Sequence, residues 1–187
     1  MTSDQAGPIY RKKLKAAELP NFLDRIRGEG VGVHNLLLLC IGTDRSTGDA
    51  LGPLVGTMLQ EAGYPHEVGT LAFPFDASNM RERLREIPPG LKIIAIDACL
   101  GQTVSLGWYQ VSNRPIEPGK SVGKQLPRVG DYSIAAIVNV DQGQKYAVLQ
   151  STSLYRVMTM AREIVSAICS VFPLDPETAR AEKEGSE

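Results

Sequence analysis

Histidine, cysteine and aromatic side chains are all scarce in this chain: 187 residues hold 2 His, 3 Cys and 6% Phe, Trp and Tyr. Cys40, Cys99 and Cys169 are odd in number and far apart, which excludes a disulfide framework. No Cys-x-x-Cys or mixed Cys/His spacing is present, which excludes a zinc knuckle. Reduced thiols in a cytosol are the simplest expectation. An excess of one charge is lacking too. With 20 Lys and Arg against 21 Asp and Glu, the net charge is -1, too little to draw in nucleic acid or an anionic membrane. Long apolar runs are also missing. Near the N-terminus the longest is Leu36 to Ile41, far short of the roughly 20 residues of a spanning helix. The polar opening from Met1 to Gly7 does not read as an export signal. The expectation is a cytoplasmic protein without nucleic-acid or membrane partners. The composition leaves a homo-oligomer open.

What is present is a sizeable apolar fraction, 43%, enough for the core of one domain. Leu36 to Ile41 ends in Gly42 and predicts a strand buried on both faces, hence parallel and central. A helix follows from about Ala50 to Ala62, with Pro53 in its first turn. The alternation continues with a strand over Val68 to Phe73 and a helix opened by an Asn79/Glu82 capping box. Further strands are expected over Lys92 to Asp97, Leu106 to Val111 and Ser133 to Val140. Leu154, Val157, Ala161, Ile164, Ile168 and Val171 mark a last helix over Ser153 to Phe172. Arg11 to Ile26 reads as a helix interrupted at Pro20. Alternating strands and helices predict a three-layer α/β/α sandwich around a mostly parallel, twisted sheet. Its divisions are an N-terminal extension with a helix (1–30), one α/β domain (31–173) and a flexible tail (174–187) with five acids and two bases.

Open α/β sheets bind ligands at the carboxyl ends of their strands, where strand order reverses. If the first strand pairs with both the second and the third, the loop carrying Asp44 and Asp49 faces a strand ending in Asp97. Asp49 and Asp97 are then expected within about 8 Å of each other. Two carboxylates that close can share a proton, hold a metal or polarise a water. Plainer roles stand beside this one. Asp49 could cap the following helix, and Asp97 could satisfy loop N–H groups. The Pro/Gly/Lys-rich stretch from Asn113 to Asp131 is long for an idle connector, and its expected use is as a flap over the cleft. Arg45, Arg114, Lys120, Lys124 and Arg128 are ordinary loop charges, or a cluster that orients an acidic or peptide ligand.

Other patterns fail. Gly119 to Gly123 matches Gly-x-Ser-x-Gly, but prolines 115, 118 and 127 surround it and both histidines, His34 and His66, lie upstream. Arg114 stands where a P-loop needs glycine, and Gly42, Gly48 and Gly52 do not match the dinucleotide fingerprint. Cys99 has no identifiable base and reads as a structural thiol. Trp108 and Tyr109 read as core and rim.

Residues Gly42 to Pro53, ending Asp49-Ala50-Leu51-Gly52-Pro53, resemble the first-strand loop of the spore germination protease, which ends in Asp-Ala-Leu-Gly-Pro. Ile94 to Ala98 resembles its Ile-Asp-Ala motif, and Glu117 to Lys124 is similar to its Pro-Gly-x-x-Val-Gly loop. The match keeps its order over about residues 35–140, and the whole looks most like the short YyaC-type sporulation proteins, relatives of that protease. More distantly it is similar to the hydrogenase maturation proteases, whose nickel-sensing site adds a histidine. This chain has no histidine after Asp97. The resemblance implies the fold of that group, a sporulation or germination setting, and an aspartate-dependent endopeptidase site. Asp49 and Asp97 would be the catalytic pair. Asp44, Arg45, Gly48, Lys120 and Lys124 would line the site for a protein or peptide substrate. No cofactor is implied. A non-catalytic sporulation factor that keeps the fold and binds a peptide or protein partner remains the alternative.

Overall fold

The computed structural model describes residues 8–118 and 126–174. In chain order the strands are β1 (Arg11–Leu14), β2 (Leu36–Cys40), β3 (Glu67–Val68), β4 (Lys92–Gly101), β5 (Tyr109–Ser112) and β6 (Tyr132–Val140). The helices are α1 (Leu19–Gly28), α2 (Leu51–Ala62), α3 (Met80–Arg83), α4 (Lys145–Gln150) and α5 (Leu154–Val171). All six strands form one sheet in the order β1-β5-β6-β4-β2-β3. β3, β2, β4 and β6 are mutually parallel, and β5 runs against both β6 and β1. This is the mostly parallel α/β sheet the alternation predicts.

Side-chain alternation divides the core. Leu36, Leu38 and Cys40 of β2, with Ile94, Ile96 and Ala98 of β4, pack with α1, α2 and α5 on one face. Helix α5 supplies an unbroken stripe there, from Val157 through Ile164 to Val171. Leu37, Leu39, Ile41 and Ala95 point to the other face and meet Phe75, Met80 and Val129, a smaller cover built on short α3 and irregular chain. With all five of its residues buried, β2 has the two-sided environment its apolar run requires.

The structure departs from the sequence expectations in four places. Arg11–Leu14 is an edge strand rather than helix, and Pro20 sits in the first turn of α1 instead of interrupting a longer one. Residues 11–28 thus give the sheet an edge and the core a helix, with Leu14, Leu19, Phe22, Leu23 and Ile26 buried. The strand at 67 stops after two residues because Gly69 turns the chain with φ +95°. Asn79 is no capping box: its side chain accepts from the Asp76 N–H (3.1 Å) and donates to the Pro74 carbonyl (2.9 Å). β4 runs on to Gly101, so Asp97 lies within the strand rather than at its end. It still stands one residue past the last β2–β4 pair, Cys40 with Ile96, and so clears the end of β2.

Candidate functional site

β2 pairs with β3 on one side and β4 on the other, so strand order reverses between β2 and β4. This is the crevice where open α/β sheets take ligands. The loop after β2 enters it with little freedom. A Cβ on Gly42 would stand 1.9 Å from the Asp49 carbonyl oxygen, and one on Gly52 would stand 2.0 Å from that of Ile41. Only glycine at both positions lets the loop and the start of α2 close onto the strand end. The Thr43 N–H donates to the Asp49 carbonyl (3.1 Å) and fastens the loop. Asp49 is thereby held in a single turn, Gly48–Ala50, ahead of α2.

Neither that turn nor α2 has a side-chain cap, so the structure gives Asp49 no capping bond. Burial pushes its carboxyl above the usual carboxylate range, and the Ser46 hydroxyl nearby opposes the rise. That hydroxyl is buried and makes no hydrogen bond of normal geometry, so its restraint on Asp49 is weak. For Asp97, burial is again the first cause and lifts the carboxyl well above the usual range. A hydrogen bond from the Ala98 N–H (2.8 Å) pulls it down, and the Asp49 charge pushes it further up. The two carboxyls are therefore close enough to repel. Of the two, Asp97 is the more strongly shifted and holds its proton the more tightly.

The other expected residues scatter. Asp44 is exposed on the loop. Arg45 is exposed and paired to Asp76 (3.0 Å), which ties the loop to the segment before α3. Burial would raise the Asp76 carboxyl, but hydrogen bonds from Ser78 and the Arg45 charge bring it below the usual value. Gly48 is packed, not open: a Cβ there would meet Leu149 of α4 at 2.8 Å. Lys120 and Lys124 lie outside the described residues. The roots of their loop leave the end of β5 and enter the start of β6, at the amino edge of the parallel strands. An Ile116–Val129 bridge and a Glu117–Arg128 pair bind those roots together. A flap rooted there starts from the edge opposite the one expected.

Cys99 shares the Asp97 face of β4, and its thiol is pushed up to about 12, chiefly by burial and then by Asp97. It is a thiol at neutral pH and not a nucleophile. Among the described residues no group of three His, Cys, Asp or Glu side chains could hold a metal ion. The pair of carboxyls with no third ligand does not fit the three-ligand nickel site of the maturation proteases. Nor is any helix of the described residues long and apolar enough to cross a membrane.

Sequence reasoning missed the rim. Leu71, Phe73, Val104, Tyr146, Leu154 and Tyr155 are exposed, and all stand on segments that follow the carboxyl ends of β3, β4 and β6. Ala72, Phe73, Pro74, Asn79 and Arg83 line an open hollow of about 370 Å³ in this rim. Leu154 belongs to the periodic pattern read for the last helix, and Leu71 and Phe73 to the strand read over Val68 to Phe73, so the local signals pointed these residues inward rather than to a rim.

A solved [NiFe] hydrogenase maturation protease, HybD from Thermococcus kodakarensis, is similar at 14% identity and a TM-score of 0.43, over 82% of this chain and 99% of that one. The uncharacterized protein YyaC of Bacillus subtilis (strain 168) is 45% identical over 138 residues, which span 71% of this chain and 67% of YyaC. A family model described as protein of unknown function (DUF1256) matches residues 3–167. The chain belongs to the DUF1256 family.

Proposed function

We propose that this chain is an aspartate-dependent endopeptidase, and the observation that carries the reading is the Asp49/Asp97 pair. Both carboxyls are raised by burial, and they repel each other at the switch point of the sheet. With one proton between them, Asp49 is the base and Asp97 the acid. The Asp49 carboxylate takes a proton from water, and the water oxygen bonds to the peptide carbonyl carbon. Asp97 then gives its proton to the amide nitrogen as the carbon–nitrogen bond breaks. Afterwards the Asp49 proton passes to Asp97 and restores the pair.

The exposed apolar side chains along the carboxyl rim suit a polypeptide better than a small metabolite. The motif resemblance to the germination protease gives the setting, a sporulating cell's cytoplasm. The test is incubation of the full chain with small acid-soluble spore proteins, beside Asp49→Asn and Asp97→Asn. Cleavage by the wild type, lowered by at least about 100-fold in each variant with the fold kept, is the expected result. An inert wild type whose spore partners bind equally to both variants would establish the non-catalytic factor instead.

A further inference from the structure

The sheet face that carries Asp97 is not fully covered. Register places Asp97 of β4 opposite Ala135 of β6, Ala135 opposite Gln110 of β5, and Gln110 opposite Lys13 of β1. Residues directly across a sheet share a face, so these four form one row running from the carboxyl pair to the edge strand. Ala135 sits on a strand flanked on both sides, yet it and Gln110 keep part of their surface in solvent. The row towards the amino edge is closed, and the one towards the carboxyl edge is closed only at Ile137, since Cys99 and Trp108 keep part of their surface in solvent. Ser112 and Ser133, one row towards the amino edge, are buried. Ile137, one row towards the carboxyl edge, is buried against Gly101. A partly open lane therefore crosses the strands, closed along its amino flank and at Ile137 on the other, with a methyl group and an amide as its floor.

The ends of the lane differ in charge. At one end stand Asp49 and Asp97. At the other, Lys13 is exposed, donates to the Ser105 hydroxyl (3.0 Å) and is near enough to lower the Cys99 thiol. Arg11 is exposed on the same face of β1, and neither cation has an ion-pair partner among the described residues. Lys12, on the opposite face, approaches Glu18 at 4.0 Å. Three strand spacings separate Asp97 from Lys13, roughly 14 Å at about 4.8 Å each. An extended peptide covers that span in about four residues.

We propose that this lane binds the substrate as an extended peptide and that Lys13, with Arg11 beside it, selects an acidic side chain about four residues from the scissile bond. The inference rests on the peptidase reading of the Asp49/Asp97 pair. A peptide fits the lane where a nucleic acid does not, because the carboxyl end repels a phosphate backbone. Lys13 attracts a carboxylate at the exposed end of the lane, where complementary charge sets register and specificity more than affinity. Gln110 offers both a donor and an acceptor to the peptide backbone.

The experiment uses the full chain and a positional-scanning library of C-terminally amidated hexapeptides. Binding is read on Asp97→Asn, which would hold peptides uncut, and cleavage is read on the protein with both aspartates. The expected result is a preference of about fivefold or more for Asp or Glu over Asn or Gln at one position. Lys13→Glu should reverse that preference towards Lys and Arg, and Lys13→Gln should abolish it without reversal. Three results overturn the proposal: no acidic preference, a preference unchanged by both Lys13 variants, or retention of a single-stranded oligonucleotide and of no acidic peptide. Acidic peptides bound through Lys13 but never cut would keep the lane and remove the peptidase. Peptides cut without charge preference would do the opposite.

Discussion

A carboxyl group whose ionised form is disfavoured in the fold holds its proton more tightly folded than unfolded. Asp97 is in that position, raised first by burial and further by Asp49. Its contribution to stability is then fully present below the unfolded carboxylate value, near 3.8, and is lost as pH rises from there through the folded value. Asp97→Asn has no such proton to lose. Melting temperature followed against pH should show the variant gaining on the wild type as pH rises, and a gap that stays constant would contradict the assignment. At Asp49 the discriminating change is to alanine. A capping aspartate costs about 0.5–2 kcal/mol when truncated. The turn has no cap bond, so Asp49→Ala should be neutral or slightly stabilising in urea denaturation. Asp97 was legible in the sequence because it closes the apolar run Ile93 to Ile96, and Asp49 because it stands in the glycine-rich loop ahead of α2. Their convergence was expected as well, from the first strand pairing with both the second and the third, but their burial was not, because it depends on packing between elements distant in the chain.

Elements bring the loop and the strand to that register, and the first loop does so through absent side chains. Gly48 leaves no room between its turn and Leu149, so Gly48→Ala should cost about 1–3 kcal/mol by overpacking. Guanidinium denaturation would measure it, and an unchanged midpoint would mean that α4 can move away. The central strands and α5 could be read from the sequence because burial on both faces and a 3.6-residue period leave plain patterns. β1 could not. Arg11-Lys12-Lys13-Leu14 has one apolar residue, and what makes it a strand is the free edge of β5. α3 was expected from Asn79 onwards, though longer and with a different bond at its start, whereas the lane was hidden by the same non-local cause, because it exists only once four strands are aligned.

At the scale of the whole molecule, residues 11–28 belong to the core. Leu14, Leu19, Phe22, Leu23 and Ile26 are buried there, each worth about 1.5–3 kcal/mol when removed from water. Their sum, roughly 8–15 kcal/mol, rivals the entire net stability of an ordinary domain. A chain beginning at residue 29 should therefore fail to fold cooperatively. A sigmoidal thermal transition from it, by far-ultraviolet circular dichroism, would show that the remaining layers suffice.

The contacts that seat the site have a further consequence. A Cβ on Gly42, Gly52, Gly56 or Gly69 would stand about 2 Å from the carbonyl oxygen of Asp49, Ile41, Gly69 or Cys40 respectively. Main chain thus rests on main chain around the end of β2. Such contacts have no rotamers to redistribute, so warming cannot soften them side chain by side chain. The entropic cost of aligning Asp49 with Asp97 is met when the chain folds and does not recur each time a substrate arrives. Local melting ahead of the global transition should then be absent at this place. Peptide cleavage, followed with rising temperature, should disappear together with the helical signal rather than some degrees before it.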